Sequence, residues 1–236
     1  MLMSDDSISR RVRVPGMAAA RLLSVNVGRP RTLVWEGRTV TSAIWKTPAS
    51  GQVALRGINL SGDDQADRQA HGGPNKAVYA YGLGDYRFWQ EQLGIVPEPG
   101  LFGENLTIDG VDVSQARIGE RWRIGSALLE VSQPRVPCYK LGIRLQDRAF
   151  PRRFAAAGRP GAYLRIVREG VIAAGDEVAV VYRPEHAVTA AFVARAYHTD
   201  RSLLPRLLEI PQLARAWREW AERLLGAAER PASAAQ

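Results

Sequence analysis

Between Leu22 and Tyr182 the apolar residues fall in short runs, mostly alternating with polar ones, and glycine turns separate the runs. This constrains the fold more than any other feature. A strand turns alternate side chains to opposite faces, so short alternating runs suit strands that share a barrel or sandwich core. RLLSVNV is one such run. TLVWEGRTVTSAIW reads as a hairpin turning at Glu36-Gly37, and NLTIDGVDV turns at Asp109-Gly110. RWRIGSALLEVSQ holds two runs about Gly125-Ser126, and AYLRIVREGVIAAGDEVAVVYR holds two more strands. Two helices interrupt the strands. GDYRFWQEQLG sets Tyr86, Trp89 and Leu93 on one stripe, and QDRAFPRRFAAAG is a helix that Pro151 weakens.

After Pro184 the period changes. HAVTAAFVARAYH, DRSLLPRLLE and PQLARAWREWAERLL read as helices. In the last, Leu213, Trp217, Trp220 and Leu224 keep a spacing of three to four residues. Asp200 fits an N-cap and Pro211 a first-turn position. The expected class is therefore α+β and mainly β: a barrel over residues 21–183, then a three-helix segment over 184–226. Residues 1–20 read as a disordered or non-native extension, with Met17 a candidate start, and 227–236 as a disordered tail.

The formal charge is +8. The two ends, 1–20 and 184–236, carry +1 each, which leaves +6 in the barrel segment. That favours an anionic ligand there, although a basic solvated surface would look the same. A single cysteine excludes an internal disulfide or a multi-cysteine metal or iron–sulfur site, and it suits a reducing, cytoplasmic compartment. No apolar run is long enough for a membrane helix.

The candidate chemistry lies in four stretches. DDQADRQAHGGPNKAVYAYG places Asp67, Arg68, His71 and Lys76 around the Gly72-Gly73-Pro74 turn, where successive N–H groups can form an anion nest or an ordinary polar turn. PGLFGENLTIDG offers Gly103 for close backbone approach and the Asn105 amide, or simply a strand entry. AIWKTPASGQV carries Lys46 and Thr47. SQPRVPCYKLG holds Cys138, stiffened by Pro134 and Pro137, with Arg135 and Lys140 near in sequence. Cys138 is either a small buried hydrophobe or a thiolate favoured by those cations. The chain has three lysines, Lys46, Lys76 and Lys140, and all fall in these stretches.

Taken in order, IWKTPASG, the HGGPNKAV run, GLFGENLTIDG with RIGERWRIG, and LEVSQPRVPCYKLG resemble the MOSC domain family, in its YiiM-like branch. The likeness spans about Leu22 to Leu225. Where the family's pattern has Asp before the lysine, this chain has Asn75. The resemblance implies a distorted, mostly antiparallel β-barrel and the pterin-based molybdenum cofactor. It implies that Cys138 is the protein's sulfur ligand to molybdenum. It also implies that Lys46, Thr47, Arg68, His71, Gly72, Gly73, Lys76, Gly103, Asn105 and Arg135 surround the pterin and its phosphate.

The implied activity is a detoxifying two-electron reduction of N-hydroxylated compounds (hydroxylaminopurines, amidoximes, hydroxylamines) to amines or amidines. His71 is a candidate proton donor. The chain lacks a dinucleotide fingerprint, so electrons would come from a separate flavoprotein or ferredoxin-type donor. The same stretches would also serve a sulfur carrier with a persulfide on Cys138. A nucleic-acid binder using the C-terminal helices is disfavoured, because that segment has seven Arg against six acids. Trp217 and Trp220 read as core, packing on the barrel or across a homodimer.

Overall fold

The alternating runs do form strands, and their register explains where the core and the cleft lie. In the computed structural model, residues 20–66 and 72–228 are described. The extension over 1–19, the tail over 229–236, Arg68 and His71 lie outside the described residues. Strands β1 (Arg21–Val27), β2 (Arg31–Trp35), β3 (Arg38–Ser42), β4 (Thr47–Pro48), β5 (Val53–Arg56) and β6 (Asn59–Leu60) come first. β7 (Val78–Gly82), helix α1 (Leu83–Leu93) and β8 (Leu106–Asp109) follow, then β9 (Arg121–Ile124) and β10 (Ala127–Pro134). Two short helices, α2 (Tyr139–Leu145) and α3 (Phe150–Ala156), precede β11 (Ala162–Arg168), β12 (Gly170–Ile172) and β13 (Val178–Tyr182). Helices α4 (Ala190–His198), α5 (Leu204–Leu208) and α6 (Arg215–Ala228) close the described chain.

The main sheet runs β13-β9-β10-β11-β7-β8-β1-β4. The Arg21–Glu177 bridge and the Val178 N–H to Ala20 carbonyl bond bring β1 back to β13, closing a barrel. Every pairing is antiparallel except β7 with β8, which α1 joins as a crossover. Strand β7 is buried on both faces. Val78 and Ala80 enter the barrel core, while Tyr79 and Tyr81 enter an aromatic layer with Tyr86, Trp89, Phe102, Phe150 and Phe154. That layer is the floor on which the cleft is built. The expected Tyr86–Trp89–Leu93 stripe packs into it. Pro151 is tolerated because it falls in the first turn of α3, where a missing N–H breaks no helical bond.

Four local expectations need correction. The stretch 162–183 gives three strands rather than two, with β12 leaving the barrel to pair with β5. The β2–β3 hairpin turns at Glu36-Gly37 as expected, but it forms its own two-stranded ribbon. In α6 the buried residues are Trp217 and Ala221, with Leu213 and Ala214 buried in the turn before it, while Leu224 is 37% exposed. The stripe is rotated because the barrel accepts the small Ala221. Helix α6 starts at Arg215, so Pro211 sits in the preceding turn. Asp200 does cap, accepting from the Ser202 N–H at 3.2 Å at the start of a 3₁₀ turn. Helices α4 to α6 share one hydrophobic core with the barrel through Val193, Leu207 and Trp217. Among the described residues no helix is long and apolar enough to cross a membrane.

Candidate functional site

The loops at one edge of the barrel enclose a cleft of about 670 Å³, counted out to open solvent. Lys46, Lys76 and Lys140 all line it, together with Cys138, Arg135, Gly103 and Asn105. Every lysine of the chain and its single cysteine therefore meet in one place. Thr47 does not join them. It is exposed on β4, because an extended chain that turns Lys46 inward turns Thr47 outward. Gly72 and Gly73 do not line the cleft. Gly73 adopts φ +90°, ψ 171°, a conformation that side chains resist, and it starts the 3₁₀ turn that carries Lys76.

Cys138 occupies the N-cap position of α2, and its side chain makes no capping bond. Sequence reading found the cysteine and missed the helix, whose Gly142 and seven-residue length weaken the periodic signal. The buried Arg135 donates to the Phe102 carbonyl at 2.5 Å and lies over the Tyr79 ring, 5.1 Å from its centroid. Burial opposes the Arg135 charge, but Tyr79, Tyr163 and Cys138 outweigh it and hold its pKa up.

Lys46 is 8% exposed. Its ammonium meets Asp63 at 2.5 Å. Burial pulls the Lys46 pKa below its ordinary value, with Asp63 opposing the fall. Asp63 is the hub of the cleft wall. Its Oδ1 also accepts the Gly28 N–H at 2.7 Å, and its Oδ2 accepts from the Asn105 amide at 2.9 Å. Asn105 is further committed to the protein: its Oδ1 accepts the Tyr79 N–H at 3.1 Å, and its Nδ2 donates to the Asn26 carbonyl at 3.2 Å. The glycines of PGLFGENL let this loop lie against the segment 44–46. A Cβ on Gly100 (φ +88°) would meet the Lys46 carbonyl oxygen at 2.5 Å, and one on Gly103 (φ +78°) would meet the Ile44 side chain at 2.8 Å. Asn75 accepts from Arg165 at 3.1 Å through its side-chain oxygen, which an Asp would also supply.

Two residues of interest escaped the motifs. Tyr163 lines the cleft opposite Tyr79, with ring centroids 5.1 Å apart. Burial raises the Tyr163 pKa, with Arg135 opposing, so the hydroxyl keeps its proton at neutral pH. The only sequence signal was its alternation along β11. Glu104 is fully buried behind the wall. Its Oε1 accepts from Tyr86, from the Gly100 N–H at 2.6 Å and from Thr107 at 2.9 Å, while Oε2 has no partner.

Burial raises the Glu104 pKa above its model-peptide value of 4.5. The folded state therefore holds this proton more tightly than the unfolded chain does, and stability falls as pH rises from 4.5 through the raised value. Glu104→Gln keeps the acceptor and removes the titration. Its melting temperature is expected to exceed that of the parent at pH 7 to 8 and to converge with it near pH 4, as thermal melts across that range would show. A constant difference across pH would contradict this assignment.

Among the described residues no group of three or more His, Cys, Asp or Glu is placed to hold a metal ion. A metal here would therefore come with ligands of its own and take one soft thiolate from Cys138. Four cations, Lys46, Lys76, Lys140 and Arg135, against Asp63 and Asp64 suit an anionic body for such a cofactor. The donor set thus fits a molybdenum held by dithiolene sulfurs on a phosphorylated pterin.

Comparison with known proteins identifies the family. A family model described as MOSC domain matches residues 67–179. An uncharacterized protein, YflK of Bacillus subtilis, is 36% identical over 200 residues, covering 84% of this chain and 90% of that protein. The crystal structure of YiiM from Geobacillus stearothermophilus superposes with a TM-score of 0.72 at 31% identity, covering 87% of this chain and 99% of that one. A Gibberella moniliformis protein named "Reductase" is 31% identical over 215 residues, which is 87% of this chain but 38% of that longer protein.

Proposed function

The chain belongs to the MOSC domain family, in its YiiM-like branch, and from that premise we propose that its cleft holds the molybdenum cofactor and reduces N-hydroxylated compounds. One observation carries the proposal: the single cysteine, all three lysines and the buried Arg135 line one cleft. The reductase name of the fungal relative lends the reaction class.

In this reading Cys138 would supply the protein's thiolate to molybdenum. Lys46, Lys76 and Lys140 would face the anionic pterin, with Arg68 and His71 contributing as the family resemblance implies. Asn105 acts indirectly, by holding Asp63 and through it Lys46. Gly103 supplies close backbone approach, and Gly72 and Gly73 set the turn that presents Lys76. When bound, the cofactor supplies the two-electron chemistry.

The chain's own residues bind, orient and protonate. Arg135 stays charged beside the thiol and favours its deprotonated form. The Tyr163 hydroxyl is available to donate to the oxygen of the substrate's N–O group, a role that complements proton donation by His71. Electrons come from a separate flavoprotein or ferredoxin-type partner in a reducing, cytoplasmic setting. Residues 21–183 form the cofactor-binding unit, and 184–226 form a helical buttress that a homodimer can also use.

The test is reduction of benzamidoxime or N-hydroxylaminopurine by protein from a molybdenum-replete host, with a reduced viologen as donor. Turnover that needs the metal supports the reading, and none with fully loaded protein overturns it. Tyr163→Phe is expected to lower kcat about tenfold or more, with molybdenum content unchanged, because it deletes one hydrogen-bond donor. Unchanged kcat would remove Tyr163 from the reaction.

A further inference from the structure

The segment 44–46 is a partition with two lined faces. Ile44 and Lys46 face the cleft, while Trp45 faces a groove on the opposite side, between the β2–β3 hairpin and α2. The groove holds about 930 Å³ counted out to solvent, and Arg31, Trp35, Trp45, Ile143 and Arg144 line it. An ion pair between Arg148 and Glu36 ties the hairpin tip to the segment after α2.

Two guanidinium groups share this groove. Arg31 lies over the Trp45 indole, 3.7 Å from its centroid. The Arg144 Nε is sealed from solvent and has no hydrogen-bond partner. Among the described residues neither arginine pairs with a carboxylate. Arg144 feels burial first and then the like charge of Arg31, both of which disfavour its charged form, with Glu104, Tyr86 and Glu98 opposing more weakly. A half-buried guanidinium with a like charge beside it is unfavourable unless an anion joins them. The indoles beside them supply flat apolar faces, on which planar rings stack.

We propose that this groove binds a planar aromatic anion, a flat ring carrying a phosphate or carboxylate, at a site separate from the cleft and sharing its 44–46 wall. The anionic group meets Arg31 and Arg144, and the ring lies against Trp35. Occupancy stiffens the segment that carries Lys46 and α2, whose N-cap is Cys138.

Isothermal titration calorimetry of the purified full chain with flavin mononucleotide, AMP, riboflavin and inorganic phosphate tests this. The two nucleotides are expected to bind about tenfold more tightly than riboflavin or phosphate alone, since each lacks one of the two contacts. Arg31→Gln/Arg144→Gln should weaken nucleotide binding by a similar factor. Arg31→Gln alone, at an exposed strand position, serves if the double variant folds poorly. Cys138→Ser should bind the nucleotides as the parent does, so the result is independent of whether the cleft carries molybdenum. Equal affinity for riboflavin or for phosphate, or nucleotide binding unaffected by the arginine variants, would overturn the proposal, as would no binding at all.

Discussion

Cys138→Ser is expected to lower turnover of an N-hydroxylated substrate by more than about a hundredfold, because even outer-shell partners of a metal site are worth 10- to 100-fold. The melting curve should hardly move. Cys138 is the N-cap of α2 and its side chain caps nothing. Serine is among the preferred caps and can accept from the first-turn N–H groups, so the helix start is kept or improved. The substitution thus separates chemistry from folding. Parallel measurements of kcat/KM and melting temperature read both. Full turnover with an unchanged melt would remove Cys138 from the chemistry.

Asp63→Ala is expected to have the largest effect on stability. It strands a buried ammonium on Lys46, an amide donor on Asn105 and the Gly28 N–H. Breaking a buried ion pair from one side costs about 3–5 kcal/mol, which for a chain of this size lowers the melting temperature by roughly 10 °C. The double variant Lys46→Met/Asp63→Ala should recover much of that loss, because no buried charge is left unpaired. Thermal melts of the single and double variants check the sign. A single variant as stable as the parent would show that Asp63 is not the hub of the wall.

The strands were legible because alternation and glycine turns mark them directly, as at Glu36-Gly37 and Gly125-Ser126. The aromatic layer was legible only in part. Tyr86, Trp89 and Leu93 announce a helical stripe, but nothing local says that Tyr79 and Tyr81 of β7 complete it. Helix α2 was hidden by its length and by Gly142, and the rotation of α6 depends on how much room the barrel leaves at Ala221. Within the site, the lysines and Cys138 stood out by scarcity. Asp63 did not, since an acid in a polar loop looks solvated until Lys46, Asn105 and Gly28 are seen around it. Tyr163 looked like one more alternating strand residue. Thr47 lies outside the cleft lining, because adjacency to Lys46 along an extended chain places it on the opposite face.

The central claim is that Cys138 lends its thiolate to a molybdenum cofactor in the lysine-lined cleft. Metal analysis and pterin fluorescence of the parent chain, purified beside Cys138→Ser from a molybdenum-replete host, test it most directly. Near one molybdenum and one pterin per parent chain, with molybdenum and reductase activity both falling in the serine variant, is the expected result. Equal molybdenum and equal activity in the two proteins, or a reducible persulfide on Cys138 in a parent chain that carries no molybdenum, would contradict it.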